Sequence, residues 1–282
     1  MQVRFLRPAL VVYTGLFLLF LYGPMIVLAI LSFQSKGGGP QFPILEWSVY
    51  WYEHLLGMAE KTSRVSQLPV GDSLVRSLVL AFMTTVVSTV LGTMSAEAFR
   101  TRFKGSGPVF YLIILGMMVP GVLVGLGMAL LSNVVGIDRA WFSTAFVLHV
   151  VYTFPFAFLV MLAIFNRFDR TVEEASLSLG VSPAQTFRRV TFPIIFPGVL
   201  SAMLFSFTLS YDEFARTLFT AGRDLTLPLA IYGTFSVEIY PNIFAFGVLT
   251  TLFSFTLLVI YGLLMKRFTS RAGRFKGQEE AT

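Results

Sequence analysis

Six stretches of this chain run for about 20 residues almost without charge, the length an α-helix needs to cross a ~30 Å hydrocarbon core. They are 9–33, 73–95, 108–134, 141–165, 194–211 and 243–265. Water is absent from that core, so each backbone N–H and C=O must be satisfied within its own segment, and a run of this kind folds as a helix. Composition agrees: 55% of the 282 residues are hydrophobic and 13% charged, against roughly 25% charge in an ordinary soluble domain. The 30 Phe and 10 Tyr suit lipid-facing and interfacial surface better than one aqueous core. A soluble enzyme is excluded. The expectation is an all-α integral membrane protein of six transmembrane helices, forming one domain over 1–282 with membrane lipid as its solvent.

Charge placement gives the orientation, because Lys and Arg are retained on the cytoplasmic side. With the N-terminus inside, that side holds Arg4, Arg7, Arg100, Arg102, Lys104, Arg167, Arg170, Arg188, Arg189, Lys266, Arg267, Arg271, Arg274 and Lys276, which is 14 of the 21 basic residues. Both termini are expected to be cytoplasmic. The first run follows Arg4 and Arg7 like a secretory signal, but it is too long and has no small-x-small cleavage site, so it reads as an uncleaved span. The net charge of +6 does not point to nucleic acid, because the basic residues do not cluster with aromatics on one face. Cysteine is absent, which removes disulfides, thiolate metal sites and thiol nucleophiles. His54 and His149 are the two histidines; a histidine-rich metal site is not expected, and His149 reads as a packed helix residue.

The longest outer loop is 34–72. Its Lys36-Gly-Gly-Gly-Pro40 stretch can only be loop. Trp47, Tyr50, Trp51 and Tyr52 follow, read as an interfacial belt on a short helix, with a docking or lining surface as the other reading. Pro120, Gly121, Gly125, Gly127, Pro155, Pro193 and Pro197 lie in or beside spans. They fit either helices that move against one another or static kinks in a fixed bundle.

The loop 166–193, between the fourth and fifth spans, has its own local chemistry. Thr171 with Glu174 three residues on makes a capping box, and Gly180 supplies a helix stop. Ser182, Pro183 and Gln185 then signal a second start. The first helix is about eight residues, or ~12 Å, too short to be stable alone in water. Val172, Ala175, Ser176 and Leu179 fall at i, i+3, i+4 and i+7, a small apolar face suited to seating in a groove.

Glu174-Ala175-Ser176, Gly180, Phe187, Val190, Pro193 and Pro197 together resemble the EAA signature of permease subunits in binding-protein-dependent ABC importers, with Ser176 in place of the second alanine. The resemblance implies the type I ABC importer permease fold and makes this helix the coupling helix that docks on a cytoplasmic ATPase. Glu174, Ala175, Ser176 and Gly180 are then the coupling residues, with Glu174 expected to meet a basic group of the ATPase.

A second segment, Ser210-Tyr-Asp-Glu-Phe214, then Thr217-Leu-Phe219, Gly222 and Thr226-Leu-Pro228, resembles permeases of the spermidine/putrescine and opine-like branch. Ionisable residues at membrane depth are costly and are functional suspects. Adjacent carboxylates at Asp212 and Glu213 would attract a cationic solute; alternatively Arg216, one turn away, neutralises them, or they are solvated at the rim. Ser210, Tyr211, Asp212 and Glu213 are the expected solute-pathway residues.

The resemblance implies a subunit that moves a small polar, amine-bearing solute, of polyamine or amino-acid-derivative type, across a bacterial inner membrane. It also implies an ABC ATPase dimer, a second and similar permease, and an extracytoplasmic solute-binding protein. No Gly-x-x-x-x-Gly-Lys-Ser/Thr loop occurs, so no cofactor is expected in this chain, and ATP and Mg²⁺ would sit on the ATPase. No nucleophile-and-base or metal cluster marks a membrane enzyme, and no catalytic or metal residue is expected. An ion-gradient-driven secondary transporter is the rival reading, with Asp212, Glu213 and Glu97 as coupling sites.

Overall fold

The computed structural model describes residues 3–55, 58, 70–101, 103–235 and 241–279, with side chains described over 8–55, 58, 71–101, 103–233 and 241–267. Among these residues it is helical, with one isolated antiparallel bridge between Gln34 and Trp47. In chain order the helices are α1 (Val3–Leu31), α2 (Tyr50–Leu55), α3 (Val70–Ala98), α4 (Ser106–Met118), α5 (Gly121–Val135), α6 (Phe146–Arg167), α7 (Thr171–Ser178), α8 (Pro183–Thr186), α9 (Phe192–Tyr211), α10 (Thr217–Thr220), α11 (Leu227–Phe235) and α12 (Pro241–Glu279). Single π-helical turns at Trp141–Ala145 and Phe187–Thr191 lead into α6 and α9.

Five helical stretches are long and apolar enough to cross a membrane: Pro8–Leu31, Gly71–Ala98, Trp141–Arg167, Pro183–Tyr211 and Pro241–Arg267. The run 108–134 differs from the straight span read in the sequence. It is two helices, α4 and α5, bent by 98° at Val119-Pro120. Pro120 has no N–H to give the ladder, and Val119 before it is extended (φ −71°, ψ 127°), as the steric clash with a following proline requires. Counting the bent pair as one span gives six. The fifth span also starts earlier than the run 194–211 suggests, because α8, the π-helical turn and α9 follow one another without a break.

The chain forms two compact units. One comprises 1–68 with 231–257, the other 69–230 with 258–282. In the first, the loop after α1 folds around Gln34, which is fully buried: its side chain donates to the carbonyls of Gly39 and Gln41 and accepts the Leu45 N–H. The Gly-Gly-Gly stretch thus turns around one amide side chain. The aromatic group after it divides. Trp51 is 2% exposed and packs on Ala245, whereas Trp47 is 68% exposed. Trp51 is therefore a core residue of this unit.

In the second unit α3, α6 and α9 pack on one another and α10 packs on α5. The core is Ala96, Ala157, Phe158, Met161, Phe165, Ile195, Val199 and Ala202. Small residues let the backbones approach: a Cβ on Gly92 would lie 2.8 Å from the Phe158 nitrogen. A line of buried hydroxyls, including Thr84, Thr85, Ser88, Thr89, Thr153 and Ser206, runs through the same helices.

Candidate functional site

Two clusters of polar side chains in the second unit hold the residues singled out from the sequence. The first surrounds α7. The Asp169 carboxylate accepts the Thr171 N–H at 3.0 Å, and that bond, with the Thr171 hydroxyl, lowers the Asp169 carboxyl below its ordinary range. Thr171 is therefore the first helical residue, and the cap expected of it is supplied two residues earlier, by a charged acceptor better matched to an orphan N–H than a hydroxyl. The far end closes with a Schellman motif: Gly180 N–H to Leu177 O at 2.9 Å and Val181 N–H to Ser176 O at 3.4 Å. Gly180 has φ +80°, a backbone region that side chains other than glycine's rarely adopt.

Around α7 the two glutamates divide. Glu173 turns inward and accepts two hydrogen bonds from Arg100, at 3.1 and 2.6 Å, and one from the Thr191 hydroxyl at 2.6 Å. Arg100 also donates to both oxygens of Glu97, at 2.9 and 3.0 Å, and its guanidinium lies over the rings of Phe165 and Phe168. The Arg170 guanidinium donates to the Arg100 carbonyl. Burial works against the Arg100 cation, but the hydrogen bonds and charges of Glu173 and Glu97 outweigh it and raise its pKa. The Arg100 hydrogen bonds hold the Glu173 carboxyl below the usual carboxylate range against partial burial, helped by Thr191.

Glu174 points outward and is exposed, as are Val172, Ala175 and Leu179, the last at 84%. Ser176 faces inward, 3.0 Å from the Thr186 hydroxyl. So of the small face read in the sequence, three members are exposed and Ser176 is buried. Glu173 escaped that reading; the one clue to it was an arginine closing the second span with Glu97 as its only evident partner.

The second cluster lies where α9 ends. His149 is 1% exposed, with Nδ1 2.8 Å from the Ser210 hydroxyl and Nε2 2.8 Å from that of Thr217. The Thr217 hydroxyl gives its one proton to the Glu213 carbonyl at 2.8 Å. It can only accept from His149, which puts a proton on Nε2; in the neutral ring Nδ1 then accepts from the Ser210 hydroxyl. The Thr153 hydroxyl donates to the His149 carbonyl at 2.8 Å, and Ser88 lies 2.7 Å from Thr153. A polar thread thus joins α3, α6, α9 and α10.

Glu213 is buried and accepts from the backbone N–H and the Nη1 of Arg216, at 2.9 and 2.8 Å. The guanidinium lies 3.6 Å over the Tyr152 ring. Gly121 of α5 also lies against it, a Cβ there coming within 2.9 Å of Nη1, while a Cβ on Gly125 would come within 2.9 Å of the Arg216 carbonyl oxygen. Tyr211 is buried and stacks on Phe207 with ring centroids 6.0 Å apart. Asp212 differs from these three neighbours: its side chain is exposed and has no ion-pair partner among the described residues. Partial burial raises its carboxyl. Of Ser210, Tyr211, Asp212 and Glu213, then, one carboxylate reaches the surface and three side chains are engaged inside. No group of three or more His, Asp or Glu placed to hold a metal occurs among the described residues.

The family described as "Binding-protein-dependent transport system inner membrane component" matches residues 88–272, which include both clusters. The spermidine/putrescine transport system permease protein PotC of Haemophilus influenzae is 28% identical over 254 residues, covering 88% of this chain and 93% of that protein. The putrescine transport system permease protein PotI of Escherichia coli K12 is 29% identical over 238 residues, covering 82% of this chain and 81% of that protein. Among solved structures, a bacterial ABC transporter involved in the import of the acidic polysaccharide alginate aligns with a TM-score of 0.66 at 17% identity, over 93% of this chain and 96% of that one. An inward-facing structure of the MetNI methionine ABC transporter aligns with a TM-score of 0.56 at 18% identity, over 72% of this chain and 99% of that one. With apolar helices in the number and order of the type I permease fold and a family match over most of its length, this chain belongs to the inner-membrane components of binding-protein-dependent ABC transport systems.

Proposed function

We propose that this subunit passes a polyamine or similar amine-bearing solute into the cytoplasm, driven by an ATPase dimer that carries the ATP and Mg²⁺. A solute-binding protein delivers the solute, and a second, similar permease completes the path. Both termini face the cytoplasm, following the placement of 14 of 21 basic residues. Solute class rests on the polyamine permeases that resemble this chain and on the chemistry at the end of α9.

Asp212 is the observation that carries the solute assignment. Its neighbour Glu213 is already neutralised by Arg216, so of these two carboxylates Asp212 is the one without an ion pair among the described residues. A carboxylate partly removed from water attracts a solute ammonium more strongly than one in bulk solvent, because the effective dielectric is lower. Ser210, Tyr211 and Glu213 act behind it, holding the chain turn that presents it. At the other cluster, α7 offers Glu174, Ala175 and the exposed Val172 and Leu179 to the ATPase. Ser176 anchors the helix from behind, and Gly180 allows the tight exit.

In proteoliposomes holding the assembled complex, radiolabelled putrescine or spermidine should accumulate only with ATP inside and the binding protein outside. Accumulation on an ion gradient without the ATPase would overturn the reading in favour of a secondary transporter. Glu174→Arg should abolish solute-stimulated ATP hydrolysis while the permease remains inserted.

A further inference from the structure

The helix α7 is held to its own subunit almost entirely by polar bonds. Its apolar residues Val172, Leu177 and Leu179 are exposed and its one buried residue is Ser176. Its attachments are Glu173 to Arg100 and Thr191, Ser176 to Thr186, and Arg170 to the Arg100 carbonyl. Apart from the chain on either side, displacement of α7 acts on the bundle chiefly through these bonds, because its apolar residues are exposed.

Arg100 sits where they converge. It closes α3, a 29-residue helix about 43 Å long at 1.5 Å per residue. It is bonded to α7 through Glu173, and Glu173 is bonded in turn to Thr191, in the π-helical turn that leads into α9. Such turns are local irregularities that often sit at functional positions. Its guanidinium also covers Phe165 and Phe168 at the end of α6. Farther along, α3 carries Ser88 to Thr153 and so to the cluster of His149 and Ser210. One side chain, directly or through Glu173, therefore ties the ends of three packed helices to the short helix beyond them, and all three carry residues of the polar thread at the second cluster.

Building on the importer reading, we infer that the Arg100–Glu173–Thr191 junction is the positioning element through which movement of α7 reaches α3 and α9 together. Glu174 takes the outward contact with the ATPase and Glu173 the inward one. Coupling between sites has a physical basis where one element with discrete arrangements is biased by both. A two-acid clamp on one guanidinium supplies such an element: Arg100 can keep Glu97, three residues before it at the end of α3, while its bonds to Glu173 lengthen or break.

The test uses the full complex in nanodiscs, with the cognate binding protein as purified. Arg100→Gln should lower the stimulation of ATP hydrolysis by the binding protein about tenfold, the size of a typical coupling between two sites. Basal hydrolysis and co-purification of the ATPase should remain, and Arg100→Lys, which keeps the charge, should restore part of the stimulation. Thr191→Val, which removes a single bond to Glu173, should give a smaller loss in the same direction and serves where Arg100→Gln fails to assemble. Full stimulation in both variants overturns the inference. So does a parallel fall in basal hydrolysis, co-purification and stimulation, which would make the junction a folding element only. A wild-type complex with no stimulation would overturn the importer reading itself, whatever the variants do.

Discussion

Arg100 and Arg216 are both arginines with largely covered side chains paired with glutamates, yet their surroundings give them opposite uses. The Arg216 partner, Glu213, is three residues away in the same turn, and the guanidinium is packed against the Tyr152 ring and Gly121. The Arg100 partners are Glu97, three residues before it, and Glu173, 73 residues away. A local pair neutralises itself wherever its segment goes. A long-range pair holds two elements together, and its strength depends on where they are. The difference is that the cluster at the end of α9 fixes one conformation of a turn, while the cluster at α7 joins parts able to move separately.

Removing one acid separates the two cases. Leaving a buried charge without its partner costs about 3–5 kcal/mol, and Glu213→Ala should approach that figure because Arg216 has no second carboxylate among the described residues. Glu173→Ala should cost clearly less, because Glu97 stays within 3.0 Å of Arg100. Melting of the purified permease in detergent reads both; equal losses would mean that the second acid on Arg100 contributes nothing.

His149 belongs with Arg216. Replacing it by Phe strands the Ser210 hydroxyl, whose described partner is the imidazole, and takes from Thr217 the donor it accepts from. Unsatisfied buried groups cost about 1–3 kcal/mol each. His149→Phe should therefore lower the melting temperature, with His149→Gln recovering part of the loss, and should leave the α7 cluster's response to the ATPase unchanged in a stimulation assay.

Asp212→Asn should behave in the reverse way. Its side chain is exposed and outside any ion pair among the described residues, so the fold does not lean on its charge. We expect an unchanged melting temperature and a KM for uptake raised about tenfold, equivalent to ~1.4 kcal/mol. A matching loss of stability would place Asp212 with its neighbour Glu213 as a packing residue.

The sequence was legible where one physical term dominates. Long charge-free runs locate the spans, because hydrocarbon leaves the backbone few options. The αL glycine at Gly180 and the short capped helix before it are equally local. The failures come from competition between neighbours. Pro120 and the glycines after it suggest a kink, but the 98° bend also depends on what α5 packs against, which includes α10, more than 80 residues later in the chain. Thr171 and Asp169 both could cap α7, and the charged group prevails. Glu173 and Glu174 are adjacent and chemically identical; a 100° step around a helix sends one to Arg100 and the other to the surface, and only the position of α3 decides which. His149 reads as a packed residue and is one, but its two hydroxyl partners lie 61 and 68 residues away.

Acidification gives the smallest and most discriminating contrast between the two clusters. In the proposed function Asp212 meets the solute as a carboxylate. Partial burial raises its pKa above the ordinary 3.8, so its charge is lost, as pH falls, earlier than that of a free aspartate. Glu173 is shifted the other way, first by its hydrogen bonds to Arg100 and then by Thr191 and the nearby charges. A depressed carboxylate contributes stability that is present above its unfolded value, 4.5 for glutamate, and is lost only as pH falls through the lower folded value. On lowering the pH, outside the vesicles for uptake and throughout for hydrolysis in nanodiscs, the KM for uptake should therefore rise while stimulation of hydrolysis at saturating solute holds. Asp212→Asn should flatten the KM profile and leave the stimulation profile as it was. If the wild-type profiles fall together, one titrating group governs both steps, and the separation between a fixed, solute-facing cluster and a movable, ATPase-facing one is wrong.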